Sequence, residues 1–235
     1  MHARFTKKAF LICTSFVVLI FSFGFVLSSI VNTETTASPY NLTIVLDAGH
    51  GGIDGGSVGS KTNITESELN LAFTLKLEKL LKSVGINVVK TRTNQNGLAS
   101  NTSKNFKKED MQKRKEIISQ ANAQAIVSIH MNKFGASTEK GAQVFYQKDD
   151  DTSKKFATAI MDELVSKIDN ARKLVIGGDY FICKCDQIPS VIVECGFLSN
   201  EQEELLLQNE EYQDKFCYAV FCGIMKYFNS TINSY

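Results

Sequence analysis

Three apolar runs in this chain stop abruptly on residues able to do chemistry. LTIVL (residues 42–46) ends in Asp47-Ala48-Gly49-His50-Gly51-Gly52, AIVSI (125–129) ends in His130-Met131-Asn132, and VIV (191–193) ends in Glu194-Cys195-Gly196. In open α/β sheets, ligands bind beyond the carboxyl ends of the strands, so His50, His130 and Glu194 are candidates to converge from distant parts of the chain. Past residue 40 the sequence has two histidines, and both stand at such ends. A single one would read as a hydrogen-bonded rim residue; the pair, with a glutamate alongside, reads as a site. Two neutral imidazoles suit Zn²⁺, and a catalytic zinc takes three protein ligands and keeps a position for water. Glu66 is the leading candidate for the third ligand, with Asp47 and Asp54 as rivals. Asp47 has an alternative role, orienting His50 by accepting its other ring N–H. Glycines 49, 51, 52, 55 and 56 suit a loop with unusual dihedrals and a close approach to a ligand.

The elements that must position these residues follow from pattern. Apolar residues at 69, 73, 77, 80 and 84 form a helical stripe over residues 66–84. Thr65 and Glu68 have capping-box spacing at its start, and Gly85 is a natural stop. Residues 86–91, 125–130, 142–147, 180–183 and 191–194 read as further strands. Residues 110–122, 152–168, 201–208 and 211–228 read as helices, and 94–108 as a polar loop. Strands alternating with helices predict an α/β fold, with a largely parallel (mixed) sheet and helices on both faces. Lys104, Lys107 and Lys108 in the loop read as a solvated face, with a contact to an anionic polymer as the alternative. Cys195, next to Glu194 on a strand, is expected on the opposite face and is given no chemistry. Lys184, Asn132 and Arg114 are lesser candidates for substrate contacts, Arg114 reading foremost as a snorkelling helix residue.

Composition narrows the function class. The chain has 235 residues and a formal net charge of +1, and 43% of it is hydrophobic. That supports a globular core and argues against a nucleic-acid binder acting by phosphate neutralisation. Residues 9–31 carry no charge and follow Arg4, Lys7 and Lys8. Residues 1–31 are therefore read as an uncleaved signal-anchor, or else a signal peptide, whose helix enters the membrane with the basic end inside. Residues 32–41 read as a linker and 42–235 as one extracytoplasmic catalytic domain. Five cysteines lie outside the leader, an odd number that implies no disulfide framework. Two motif matches carry little. Gly55-Gly56-Ser57-Val58-Gly59 has the G-x-S-x-G spacing but is followed by a polar stretch rather than a helix. The glycine loop also lacks the Lys-Ser/Thr of a phosphate cradle.

Four blocks in order, IVLDAGHGGIDGG, TESELNLAFTLKLEKLL, ANAQAIVSIHMN and IPSVIVECGFLSN, resemble the zinc-dependent N-acetylmuramoyl-L-alanine amidases of the Amidase_3 type. The similarity extends over about residues 42–228. Within that family the leader, the compact domain and GDYFICKCDQIPSVIVECGFLSN look like the spore-cortex amidases of endospore-forming bacteria. The resemblance implies His50, Glu66 and His130 as zinc ligands and Glu194 as the catalytic carboxylate. It also implies a peptidoglycan substrate cut between N-acetylmuramic acid and L-alanine, during cortex maturation or wall remodelling. Gly141 follows closely on His130, so the long helical insertion that occludes the site in some relatives is absent. That points to control by expression or by an activating protein partner. Two rivals are a zinc carboxypeptidase on stem peptides and a wall-binding domain without turnover. The first is disfavoured because its usual H-x-x-E pair would need a glutamate where Ile53 stands.

Overall fold

The computed structural model describes residues 41–100 and 102–232. The proposed leader lies outside them, and no helix among the described residues is long and apolar enough to cross a membrane. Six strands and five helices alternate: β1 (Thr43–Ala48), α1 (Glu66–Ser83), β2 (Asn87–Lys90), α2 (Phe106–Gln120), β3 (Ala125–Asn132), β4 (Gln143–Gln147), α3 (Asp151–Lys167), β5 (Ile176–Gly178), a 3₁₀ turn (Ile182–Lys184), β6 (Ser190–Phe197), α4 (Glu201–Leu207) and α5 (Glu210–Ile232). They form one sheet of order β2-β1-β3-β6-β4-β5. β1, β2, β3 and β6 run parallel, and β4 pairs antiparallel with β6 and parallel with β5.

The strand alternation sorts side chains between two faces. Ile44, Leu46, Val127, Ile129, Val191 and Val193 face the larger core beneath α1, α3 and α5. Val45, Ile126 and Ile192 face a smaller one with Ile118 of α2 and Ile182 of the 3₁₀ turn. The mixed sheet with helices on both faces is therefore as anticipated. Continuing the same alternation, Asp47, Ser128, His130 and Glu194 fall on the α2 side. Cys195 is buried in the larger core on the opposite side. All five cysteines beyond the leader are free, and four of them are buried.

Two expectations fail at the sheet edge and at α2. Residues 180–183 form no strand; the edge strand is Ile176–Gly178, and Ile182 and Cys183 sit in the 3₁₀ turn. The paired glycines explain this. A Cβ on Gly178 would lie 2.4 Å from the Tyr180 ring, so only a strand bare of side chains there lets the ring lie down. The apolar run then turns inward to bury Ile182 and Cys183 against the smaller core. Helix α2 begins at Phe106, so Lys107 and Lys108 belong to its first turn rather than to a loop. Its pattern is faint because only Arg114 and Ile118 are buried along it.

Candidate metal centre

The first ligand position is built by the loop after β1. His50 has φ +60°, a left-handed conformation that costs a non-glycine residue about 1–3 kcal/mol and persists only where neighbours over-determine it. Here they do. Gly51 and Asp54 exchange backbone hydrogen bonds of 2.8 and 3.2 Å, folding the loop into a tight return. Three successive carbonyls then accept from two buried guanidiniums. Arg92 donates Nε to Ala48 O (2.9 Å) and a terminal NH₂ to Gly49 O (3.0 Å). Arg114 donates to Ala48 O (2.9 Å) and to His50 O (2.7 Å).

Glu66 opens α1 and is 3% exposed. The first N–H groups of a helix lack intrahelical partners, and here Glu66 N and Ser67 N donate to Ser57 O and Gly55 O at 2.8 and 3.0 Å. The Glu66 carboxylate Oε2 in return accepts from Ser57 N (2.8 Å). Glu68 completes the helix start by accepting from the N–H and hydroxyl of Thr65 (2.9 and 2.6 Å). Asn70, one turn on, ties the helix to the loop by donating to Gly49 O (3.0 Å).

His130 lies near the end of β3, and register places it directly opposite Glu194 of β6. The two imidazoles bracket one oxygen. Glu66 Oε1 is 3.2 Å from His50 Nε2 and 2.9 Å from His130 Nδ1, and the three donor atoms lie within 4.8 Å of one another. Tetrahedral zinc with bonds of about 2.0–2.2 Å holds its ligand atoms about 3.3–3.6 Å apart, so this set fits with small adjustments. The other ring nitrogen of His50 faces Asp54 Oδ2 at 3.0 Å, the carboxylate–histidine support usual behind a metal ligand. Burial opposes ionisation of Glu66, but hydrogen bonds and charge from the two imidazoles hold its carboxyl well below the usual carboxylate range. Burial likewise opposes charging of His50, and Glu66 and Asp54 together raise it to about 9.

Glu194 is the counterpart. Its Oε2 is buried without a hydrogen-bond partner among the described residues, an arrangement that ordinarily costs about 1–3 kcal/mol and marks a place awaiting water, ion or substrate. Burial pushes its carboxyl up to about 7, His130 lowering it and Glu66 adding to the rise. A cavity of about 300 Å³ is lined by His50 and His130 together with Tyr180, Phe181, Ile182 and Ile192.

The sequence-derived site residues are thus brought together, with two corrections. Asp47 neither faces the metal position nor orients His50. Its carboxylate is consumed by Arg114, by Thr91 Oγ1 (2.7 Å) and by Ser128 Oγ (2.5 Å), and Asp54 takes the orienting role. Arg114 does not snorkel. It is 2% exposed and links Asp47, Asp110 and the β1 loop. The charged residue is buried because its partners are buried with it. Arg92, which sequence reasoning passed over, shares that task; a charged residue just past a strand was its only signal. Asn132 donates to Gln143 (3.1 Å), and Lys184 pairs with Asp179, so neither is free for substrate as it stands.

A family model described as N-acetylmuramoyl-L-alanine amidase matches residues 44–226. The germination-specific N-acetylmuramoyl-L-alanine amidase of Bacillus subtilis is 33% identical over 219 residues, spanning 91% of each chain. The CwlD amidase of Clostridioides difficile, solved in complex with the GerS lipoprotein, is 43% identical with a TM-score of 0.78, covering 81% of this chain and 100% of that one. The catalytic domain of CwlV, an N-acetylmuramoyl-L-alanine amidase of Bacillus (Paenibacillus) polymyxa, is 30% identical with a TM-score of 0.71, covering 80% of this chain and 98% of its own.

Proposed function

This chain belongs to the Amidase_3 family of N-acetylmuramoyl-L-alanine amidases, and we propose on that premise how its own residues perform the reaction and where. The enzyme hydrolyses the amide between N-acetylmuramic acid and L-alanine in peptidoglycan, a polymer that lies outside the cytoplasmic membrane. In our reading His50, Glu66 and His130 hold a zinc ion and Glu194 is the general base. The convergence of two imidazoles and one carboxylate oxygen, beside the unpartnered oxygen of Glu194, carries that assignment.

An amide resists hydrolysis because its carbonyl is a weak electrophile and its amine a poor leaving group. A zinc held by His50, Glu66 and His130 would supply a Lewis acid for that carbonyl and would make water acidic enough to be deprotonated near neutral pH. Glu194 takes the water proton on Oε2 and returns it to the departing nitrogen. Its Oε2 has no other partner among the described residues and burial raises the carboxyl, so this atom is placed to take up a proton and release it. Asp54 keeps the His50 imidazole oriented through its other ring nitrogen, and Arg92 and Arg114 hold the carbonyls around His50 so that its backbone stays in the left-handed conformation. The apolar wall of Tyr180, Phe181, Ile182 and Ile192 limits bulk water at the reacting centre.

We assign the physiological setting to spore-cortex peptidoglycan, supported by the germination-specific relative. Membrane attachment through residues 9–31 and an activating protein partner belong to the same proposal, the latter supported by the CwlD–GerS complex. The test is digestion of purified muropeptides by the zinc-loaded protein. Free peptide beginning with L-alanine, with intact glycan, is expected, and chelation should abolish it. Glu194→Gln should retain zinc and lose turnover by about 10²–10⁴-fold. Loss of a terminal residue from the stem peptide would instead identify a carboxypeptidase, and full turnover by Glu194→Gln would remove its role as base.

A further inference from the structure

We propose that Lys107 is a carboxylate-binding residue of the substrate cavity, reading the free α-carboxylate of the second residue of the stem peptide. The identity of that peptide rests on the amidase reading above. Of the three lysines in this stretch, Lys107 lines the cavity that holds His50 and His130, whereas Lys104 and Lys108 do not. The other charges of the cavity are already matched. Arg114 is paired with Asp47 and Asp110, and Asp54 is hydrogen-bonded to the His50 ring. Lys107 has no carboxylate partner among the described residues, although its charge reaches Asp54.

Its backbone is well anchored. Lys107 lies in the first turn of α2, and Asp110 and Arg114 on the same helix bond to Leu98 N (2.7 Å) and to the carbonyls of Ala48 and His50. The cation is thereby carried on a helix fastened to the loop that supplies a metal ligand. Tyr180, Phe181, Ile182 and Ile192 line the same cavity and carry no charge to compete. A cleft lined by one unmatched sign of charge and low-dielectric walls concentrates an oppositely charged ligand. The substrate supplies one. In a peptidoglycan stem, L-alanine is followed by D-glutamate joined through its side-chain carboxyl, which leaves the α-carboxylate free or amidated. That group is one residue beyond the bond to be cut, and Lys107 is the cation that shares a cavity with His50 and His130 without an ion pair of its own among the described residues.

The experiment measures binding of two product peptides, L-Ala-D-Glu with its side-chain carboxyl capped as a methylamide and the same peptide with its α-carboxyl also amidated, to the zinc-loaded full chain by calorimetry, alongside hydrolysis of the matching muropeptides. Wild type should prefer the free acid by about five-fold, the scale of a partly exposed ion pair. Lys107→Met should abolish the preference, Lys107→Arg should keep it, and Lys108→Met should behave as wild type. Equal binding of acid and amide by wild type would overturn the proposal. So would a preference that survives in Lys107→Met, because the metal or another group would then be reading the carboxylate. If the binding preference depends on Lys107 but wild type frees no peptide from muropeptides, the subsite stands and the amidase reading falls.

Discussion

Gly49→Ala isolates the metal centre from the fold that carries it. A Cβ at Gly49 would lie 2.2 Å from Cε1 and Nε2 of His130 and 2.8 Å from its Cδ2. Carbon atoms in contact need about 3.5–4.0 Å, so the ring must retreat by about 1.3–1.8 Å. Metal–ligand distances tolerate only about 0.2 Å, so His130 drops out of the ligand set. The backbone is no obstacle, because Gly49 does not use the left-handed conformation. The clash is with the far end of a side chain that is 23% exposed, so the ring can swing outward. Overpacking of this kind costs about 1–3 kcal/mol, which lowers the unfolding midpoint of the metal-free protein by about 2–12 °C with a single transition kept. The effect on metal is far larger. Structural zinc sites with four protein ligands bind with about 10–16 kcal/mol, so one ligand is worth about 2.5–4 kcal/mol, or about 10²–10³ in affinity. Competition with a chromogenic chelator measures that loss, and hydrolysis of muropeptides should fall with it. Gly135→Ala, where a Cβ meets nothing within 4 Å, is the control. A Gly49→Ala protein that binds zinc within three-fold of wild type and hydrolyses at full rate would refute the placement of His130 as a ligand.

Other consequences are equally direct. Arg114→Met strands the buried Asp47 carboxylate and should cost about 3–5 kcal/mol, a drop of about 6–20 °C in the unfolding midpoint, and should weaken zinc binding by freeing the His50 carbonyl. Asp54→Ala should leave stability close to wild type but reduce zinc affinity about 10–100-fold in the same chelator competition. Asp47 should also shape the acid limb of stability. Burial raises its carboxyl, but Arg114, Ser128 and Thr91 lower it further, to about 2 from an ordinary 3.8. A depressed carboxyl stabilises the fold fully above pH 4 and loses that contribution as pH falls from about 4 to 2, here about 2 kcal/mol. Denaturant unfolding across that window should show the loss in wild type and a shallower slope in Asp47→Asn.

Much of this enzyme could be read before any coordinates. The alternation of apolar runs with helical stripes dictated a layered α/β fold. The abrupt ends of three of those runs marked the rim where His50, His130 and Glu194 meet, since a parallel strand delivers its last residues to a shared edge. Glu66 was legible because a helix start after a glycine loop is a defined place. What the chain could not reveal were partnerships between charged groups far apart in sequence. Asp47 is 67 residues from Arg114, and both looked like surface or site residues until α2 packed on the sheet and buried them together. The orienting role passed from Asp47 to Asp54 for the same reason: alternation aims Asp47 under the sheet at α2, while the tight return at Gly51 brings Asp54 back to the His50 ring. The pairing of Gly177 and Gly178 under two tyrosine rings likewise moved the edge strand away from the most apolar stretch. Local pattern determines which residues are strand, helix or loop, because those choices depend on neighbours in the chain. Which buried charge meets which depends on the packing of elements across space, and only the tertiary structure decided that.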